Sequence, residues 1–501
     1  MRPICLISII FGALFCSSAL SVENGSPALT EFHFQRENVL GTSFDLTVCA
    51  ANESIAQRVE NAAMAEIDRL RRILSTYEPS SELSQINASH SPVPASPELI
   101  EVLAAYENWM QRSGGAYSAQ VGRLSALWRE AERSGVTPSS QALSALTIQI
   151  SHKAWSLDAA ARTITRTNEE LINIDSAGKG FIIGKVVEVV RRQVPEVRGL
   201  LLNIGGDIRV WGQQADGKTT WKVGVADPRQ PSQNARPITE VLLSDRAVST
   251  SGDYARGFNI KGHHFSHILD PRTGLPAAGI ASATVIAPNN VMGNALATIL
   301  CVLTPEEGLK LVGDLIGVEC LIVTVDGVQH RSSGFSRMES PAARPMSTGT
   351  DWPFGYTLTL DLHLKSIPDA KRPYVVVWIE NDKGQPVRNV TLWARNMSYV
   401  ESLTSWFRIP ELNNETSYIS VTRATRSAGN YSIVWDGTDN VGHIVPKGLY
   451  TLYLEVAREH GTHATKSVSL QCASAPSDAV IPASTEFDDS PVKFGPAPES
   501  P

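Results

Sequence analysis

The chain has 501 residues, 42% of them apolar, and a formal net charge of −7. It is too long for one ordinary domain and rich enough to bury more than one core. Acids and bases are interspersed without a basic tract, which excludes the electrostatic footprint of a nucleic-acid binder.

At the N-terminus one arginine precedes an apolar run from Ile4 to Phe15, followed by Ala19 and Ser21 at cleavage-site spacing. The run is shorter than the roughly 20 residues a bilayer span requires, so residues 1–21 read as a secretory signal peptide. The expected location is the periplasm or bacterial cell envelope. Membrane association would follow only from lipidation at Cys16 or through a partner. Cys49, Cys301, Cys320 and Cys472 form neither a disulfide framework nor a CxxC motif and read as small buried residues, with a Cys301–Cys320 bridge left open.

Leu40–Ala50 alternates like a strand, and Ile55, Val59, Ala62, Ala63, Ile67, Leu70 and Leu74 fall on one helical stripe. A second helix opens at Pro97 with Leu99, Val102, Leu103, Tyr106 and Met110 as its apolar face. Helical spacing returns from Lys179 through Ile182, Ile183, Val186, Val189 and Val190. A strand from Gly199 to Ile204, strands at Trp221–Val225 and Ala281–Ile286, and a helix over Ala295–Val312 complete the pattern. The irregular alternation suits an α+β domain with a mixed or antiparallel sheet. Residues 331–350 read as a linker. Alternating strands at Tyr356, Tyr374, Val390, Tyr431 and Leu449 then predict an all-β, immunoglobulin-like sandwich over 351–472. A Pro-, Ser- and acid-rich tail, 473–501, is expected to be disordered.

Five polar or glycine-rich segments abut these elements: Asn173–Phe181 (NIDSAGKGF), Leu200–Ile208, Ser249–Gly257, His264–Gly274 (HFSHILDPRTG) and Gly293–Leu300 (GNALATIL). Gly178-Lys179-Gly180, leading into a helix, offers backbone N–H groups and a cation to phosphate; a turn with a cap is the structural alternative. Gly205-Gly206-Asp207 lets a ligand approach the backbone or forms a tight turn. Asn294 and Thr298, four apart on a helix, can point two oxygens at one hard cation, or Asn294 can simply cap that helix. His267 carries an imidazole that titrates near working pH. Asp253 and Arg256 suit either a phosphate contact or a salt-bridged turn.

In this order and spacing the segments resemble the ApbE family of FAD:protein FMN transferases over residues 30–330. The chain beyond Asp351 resembles a β-rich domain of unknown function found fused to such modules. The resemblance implies transfer of FMN from FAD to a Thr or Ser of an exported flavoprotein, with AMP released and Mg²⁺ required. It implies that Tyr77, Ala116, Tyr117, Ser118, Asn173, Lys179, Gly205, Gly206, Asp207, Ile268, Asp270 and Thr273 face FAD. His267 becomes the general base, and Ser176, Asn294 and Thr298 the metal ligands. Where the family has a carboxylate, this chain has Asn294, and Asp175 is a candidate to compensate. The acceptor is a separate envelope protein or the chain's own Thr425, in a degenerate Thr422–Thr425 match. A Mg²⁺-dependent FAD pyrophosphatase and a catalytically weakened flavin-binding module are the alternatives.

Overall fold

The computed structural model describes residues 28–229, 237–252, 257–340, 352–353, 356–368, 370–394, 397–413, 421–423, 425–440, 444–458 and 461–496. The expected signal peptide, residues 341–350 of the expected linker, and Asp253 and Arg256 lie outside them.

An eight-stranded sheet organises the first part of the chain. Its strands run, in spatial order, Thr30–Val39, Thr42–Ala50, Gly199–Ile204, Asp207–Gly212, Ala247–Gly252, Ile280–Ala287, Glu319–Thr324 and Gln329–Arg331. Every neighbouring pair is antiparallel. Successive side chains alternate between faces, so Leu200, Leu202 and Ile204 face the helical layer. On the opposite face Val210, Val248, Ile286 and Val323 pack under the hairpin of Trp221–Val225 and Thr239–Leu243. The helices Glu53–Leu74, Asp175–Gln193 and Asn290–Val302 cover the first face and pack on one another. Each fully buried Leu, Ile or Val contributes roughly 1.5–3 kcal/mol.

Several boundaries differ from the sequence reading. The helix expected from Lys179 begins at Asp175, because Ile174, Ala177 and Phe181 already belong to its buried face. The single helix expected over Ala295–Val312 is two helices, Asn290–Val302 and Pro305–Gly313, parted where Thr304 and Glu307 form a reciprocal capping box. Residues 331–340 are not linker: Phe335 is fully buried beneath the sheet, and Leu242 donates its N–H to the Met338 carbonyl. None of the four described cysteines forms a disulfide.

The C-terminal part is β-rich. One sheet orders the strands Gly429–Trp435, Tyr356–Leu364, Ser490–Pro496 and Ser477–Ile481; the other orders Thr422–Arg423, Pro386–Trp393, Tyr374–Asn381, Gly448–Ala457 and His463–Cys472. Leu358, Leu360 and Leu362 of the first sheet meet Val375, Val377 and Ile379 of the second in one core. That two-sheet packing is what the structure carries of the immunoglobulin-like expectation. The tail expected to be disordered supplies two strands of the first sheet, and Ile481, Phe487, Val492 and Phe494 are buried there. Its few apolar residues sit at the alternate positions that face the core, a pattern its Pro- and Ser-rich composition hides. Glu37 of the N-terminal edge strand pairs with Arg372 and Arg426 of this second region.

Candidate functional site

The helix Asp175–Gln193 and the helix Asn290–Val302 touch at Gly180. A Cβ there would stand 2.5 Å from the Asn290 carbonyl oxygen, so only glycine permits the approach. The contact brings Asn294 over the first turns of its neighbour, where its amide oxygen accepts the Gly180 N–H at 3.0 Å. Its amide nitrogen donates to Asp207. Asp207 in turn lies 3.2 Å from the Lys179 ammonium, which closes a ring of Lys179, Asp207, Asn294 and Gly180 across three elements.

Asp207 reaches this position because Gly205 and Gly206, at φ of 62° and 93°, form the two-residue hairpin between Gly199–Ile204 and Asp207–Gly212. Thr42 would collide with a Cβ on Gly205. The tight-turn alternative is thus correct for the glycines, and their function is to aim the next residue inward. Burial pushes the Asp207 carboxyl up, opposed by the Lys179 charge and by hydrogen bonds from its neighbours. Lys179 keeps about a third of its side chain exposed, at 31%, so its charge is presented at the rim while Asp207 lies beneath.

The helix start is built differently from the expected glycine cradle. Gly178 already donates its N–H to the Ile174 carbonyl, at 2.7 Å. Asn173 stands just before the true first turn and its side-chain oxygen accepts the Asp175 N–H, while Ser176 lies within that turn. Asp175 accepts from the Tyr77 hydroxyl at 3.0 Å and from Asn173, and its charge holds the Tyr77 phenol above its usual range. Those partners tie Asp175 to the Tyr77 loop; the carboxylate adjoining Asn294 is Asp207. Tyr77 itself is 78% exposed.

Ala116, Tyr117 and Ser118 are buried rather than lining an open surface. Tyr117 stacks on Tyr106, with centroids 4.7 Å apart and planes 10° from parallel. Its hydroxyl accepts from Ser176, and the Ser118 hydroxyl accepts the Gln120 N–H. The preceding Gly115 lies against the Arg272 side chain, so the 114–118 turn and the His264–Gly274 segment are in contact. Within that segment Asp270 holds Arg272 bidentately, and its backbone carbonyl accepts the Gly274 N–H. Thr273 accepts from the Leu275 N–H, and Trp128 donates to the Gly274 carbonyl. His267 is exposed between buried Ser266 and Ile268, so the chain is anchored on both sides of a ring that faces solvent.

The expected magnesium ligands can be tested on their chemistry. Magnesium takes octahedral oxygen ligands, anionic ones above all. The Asn294 amide must turn its nitrogen to Asp207, and its oxygen is engaged by Gly180. Thr298 donates to the Asn294 carbonyl and lies 3.4 Å from the Ser251 hydroxyl. Among the described residues no three acidic, histidine or cysteine side chains converge on a cation position. The set as arranged does not fit a dedicated magnesium site, and Lys179 stands beside the carboxylate that an ion would need.

Sequence reading passed over Tyr106, treating it as one more apolar residue. The available signal was a phenol on an otherwise aliphatic stripe, since a buried Tyr hydroxyl ordinarily has a partner. Thr425 is 5% exposed, and the neighbouring Arg426 packs over Trp393 and pairs with Glu37.

Comparison with known proteins places these features in context. The ApbE family model matches residues 40–322, and a family described as "Predicted periplasmic protein (DUF2271)" matches residues 357–489. An FAD:protein FMN transferase of Vibrio cholerae is 30% identical over 285 residues, spanning 54% of this chain and 82% of the relative. One of Klebsiella pneumoniae is 25% identical, spanning 67% and 94%. The crystal structure of the ApbE protein of Thermotoga maritima superposes with a TM-score of 0.56 at 27% identity, covering 62% of this chain and all of that one.

Proposed function

Because the chain belongs to the ApbE family, we propose that it transfers FMN from FAD to a Thr or Ser hydroxyl of a separate exported flavoprotein and releases AMP. The observation that carries this reading is the Lys179–Asp207–Asn294–Gly180 ring, which lies within the family-matched segment and presents one cation at its rim. Export agrees with the periplasmic description of the second family, and no helix among the described residues is long and apolar enough to cross a membrane.

In this mechanism the acceptor oxygen bonds to the phosphorus on the FMN side of the FAD diphosphate. The bond from that phosphorus to the bridging oxygen breaks, and the electron pair leaves with AMP. His267 takes the hydroxyl proton. Lys179 offsets the diphosphate charge, and Asp207 and Asn294 fix the direction of its ammonium, so that positioning and electrostatics supply most of the acceleration. The Asp270–Arg272 pair holds the loop that carries His267. No step is assigned to a divalent ion, since the donor set does not fit one.

The test incubates the protein with FAD and a threonine-bearing acceptor peptide, with and without Mg²⁺. It measures AMP release and the mass of the peptide. An FMN-sized increment on the peptide, lost by a factor of about 10²–10⁴ in His267→Ala, is the expected result. Release of AMP and free FMN at the same rate without acceptor would make the activity hydrolysis instead.

A further inference from the structure

Beneath the first turn of the Asp175–Gln193 helix lies a chain of hydroxyls that neither the reaction nor simple packing requires. The Tyr106 hydroxyl accepts the Ala177 N–H at 3.1 Å, a first-turn donor that it shares with the Ile174 carbonyl at 3.2 Å. The Tyr106 and Ser176 oxygens are 2.7 Å apart, and Ser176 donates to the Tyr117 hydroxyl at 3.1 Å. Each hydroxyl has one proton. With the Ser176 proton given to Tyr117, Tyr106 must donate to Ser176, and the whole chain is polarised away from the helix N–H. Both phenols are buried and stacked on one another.

The chain engages the first turn, and Lys179 is the next residue along the helix. Ser176 and Lys179 are three apart and share a face of the helix. Tyr106 comes from the helix Pro97–Arg112, and Tyr117 from the 114–118 turn that also receives Arg272. We infer that Tyr106 and Tyr117 are positioning residues that set the rotation of the first turn of the Asp175–Gln193 helix, and through it the placement of the Lys179 ammonium against an FAD diphosphate. The inference rests on Lys179 facing FAD, as proposed above.

A double-mutant cycle on FAD affinity, read by flavin fluorescence of the full-length protein, tests it. Tyr106→Phe removes the closer of the two acceptors of the Ala177 N–H and the donor to Ser176 with little change of shape; Tyr117→Phe leaves both acceptors in place and only shortens the chain. Residues that act through one another give non-additive effects, and each tenfold in affinity corresponds to about 1.4 kcal/mol. Tyr106→Phe is expected to weaken FAD binding about fivefold to tenfold and Tyr117→Phe about twofold to threefold in the parent protein, each falling below about twofold in the Lys179→Ala background. Equal effects in both backgrounds, or a lowered melting temperature with unchanged FAD affinity, would overturn the inference and leave the phenols merely structural. If Tyr106→Phe does not fold, Tyr117→Phe carries the same cycle. Unweakened FAD binding by Lys179→Ala alone would sink the functional reading of Lys179 and this inference with it, a result distinct from additive phenol effects.

Discussion

Both halves of the molecule bury charge, but they do so to different ends. In the C-terminal sandwich Arg458 donates to Glu486 at 2.7 Å and to the Lys371 and Lys365 carbonyls, while Thr462 donates to Glu486. Arg458 is 8% exposed and Glu486 fully buried, so this cluster closes on itself and staples the tail strands to the sheet. In the N-terminal domain the buried Asp207 leads upward to a lysine that remains at the surface. A cluster whose charged members are both buried stabilises a fold. One that ends in an exposed cation can meet a ligand.

The largest effect that separates the two comes from Arg458→Met. Breaking a buried pair leaves Glu486 uncompensated and costs about 3–5 kcal/mol. Thermal melts should show loss of the C-terminal transition, with FAD binding retained; equal loss of both would mean that the two regions do not stand on separate cores. Gly180→Ala is next. The added methyl meets the Asn290 carbonyl, so the two helices must part, at about 1–3 kcal/mol, and FAD affinity should fall along with melting temperature.

Asn294→Asp sharpens the comparison by changing charge without changing shape. A second carboxylate beside Asp207 lowers stability in chelator and raises Mg²⁺ affinity by about tenfold or more, because affinity follows the number of ligand charges. Titration calorimetry and a Mg²⁺-dependent rise in melting temperature read this directly. Parent protein that binds Mg²⁺ as tightly as the variant would refute the account of the donor set.

The smallest effect concerns His33, on the edge strand Thr30–Val39. Its Nε2 is buried without a hydrogen-bond partner among the described residues, and burial lowers its pKa to about 4 from an ordinary 6.5. The unfolded chain therefore binds this proton more readily than the folded one. The stability contributed by the neutral ring is complete above the unfolded value and is lost as pH falls from 6.5 toward 4. His33→Gln should flatten that part of the pH–melting curve; an unchanged slope would show that another group sets it.

Local chemistry alone determined much of this protein. Apolar periodicity located the helices from Ile55 and Pro97, alternation located the strands at Gly199 and Tyr374, and consecutive glycines announced the turn before Asp207. The polar segments could be read as one family's pattern because their residue types and spacing are properties of the chain. Which groups meet is not such a property. Asp207 reaches Asn294 only because Gly180 lets two helices touch, Tyr106 becomes a hydrogen-bonding residue only when Ser176 folds over it, and the tail becomes two strands only when the sandwich offers it an edge. Contacts between residues far apart in sequence depend on the relative placement of whole elements, and that placement is decided by packing the complete core.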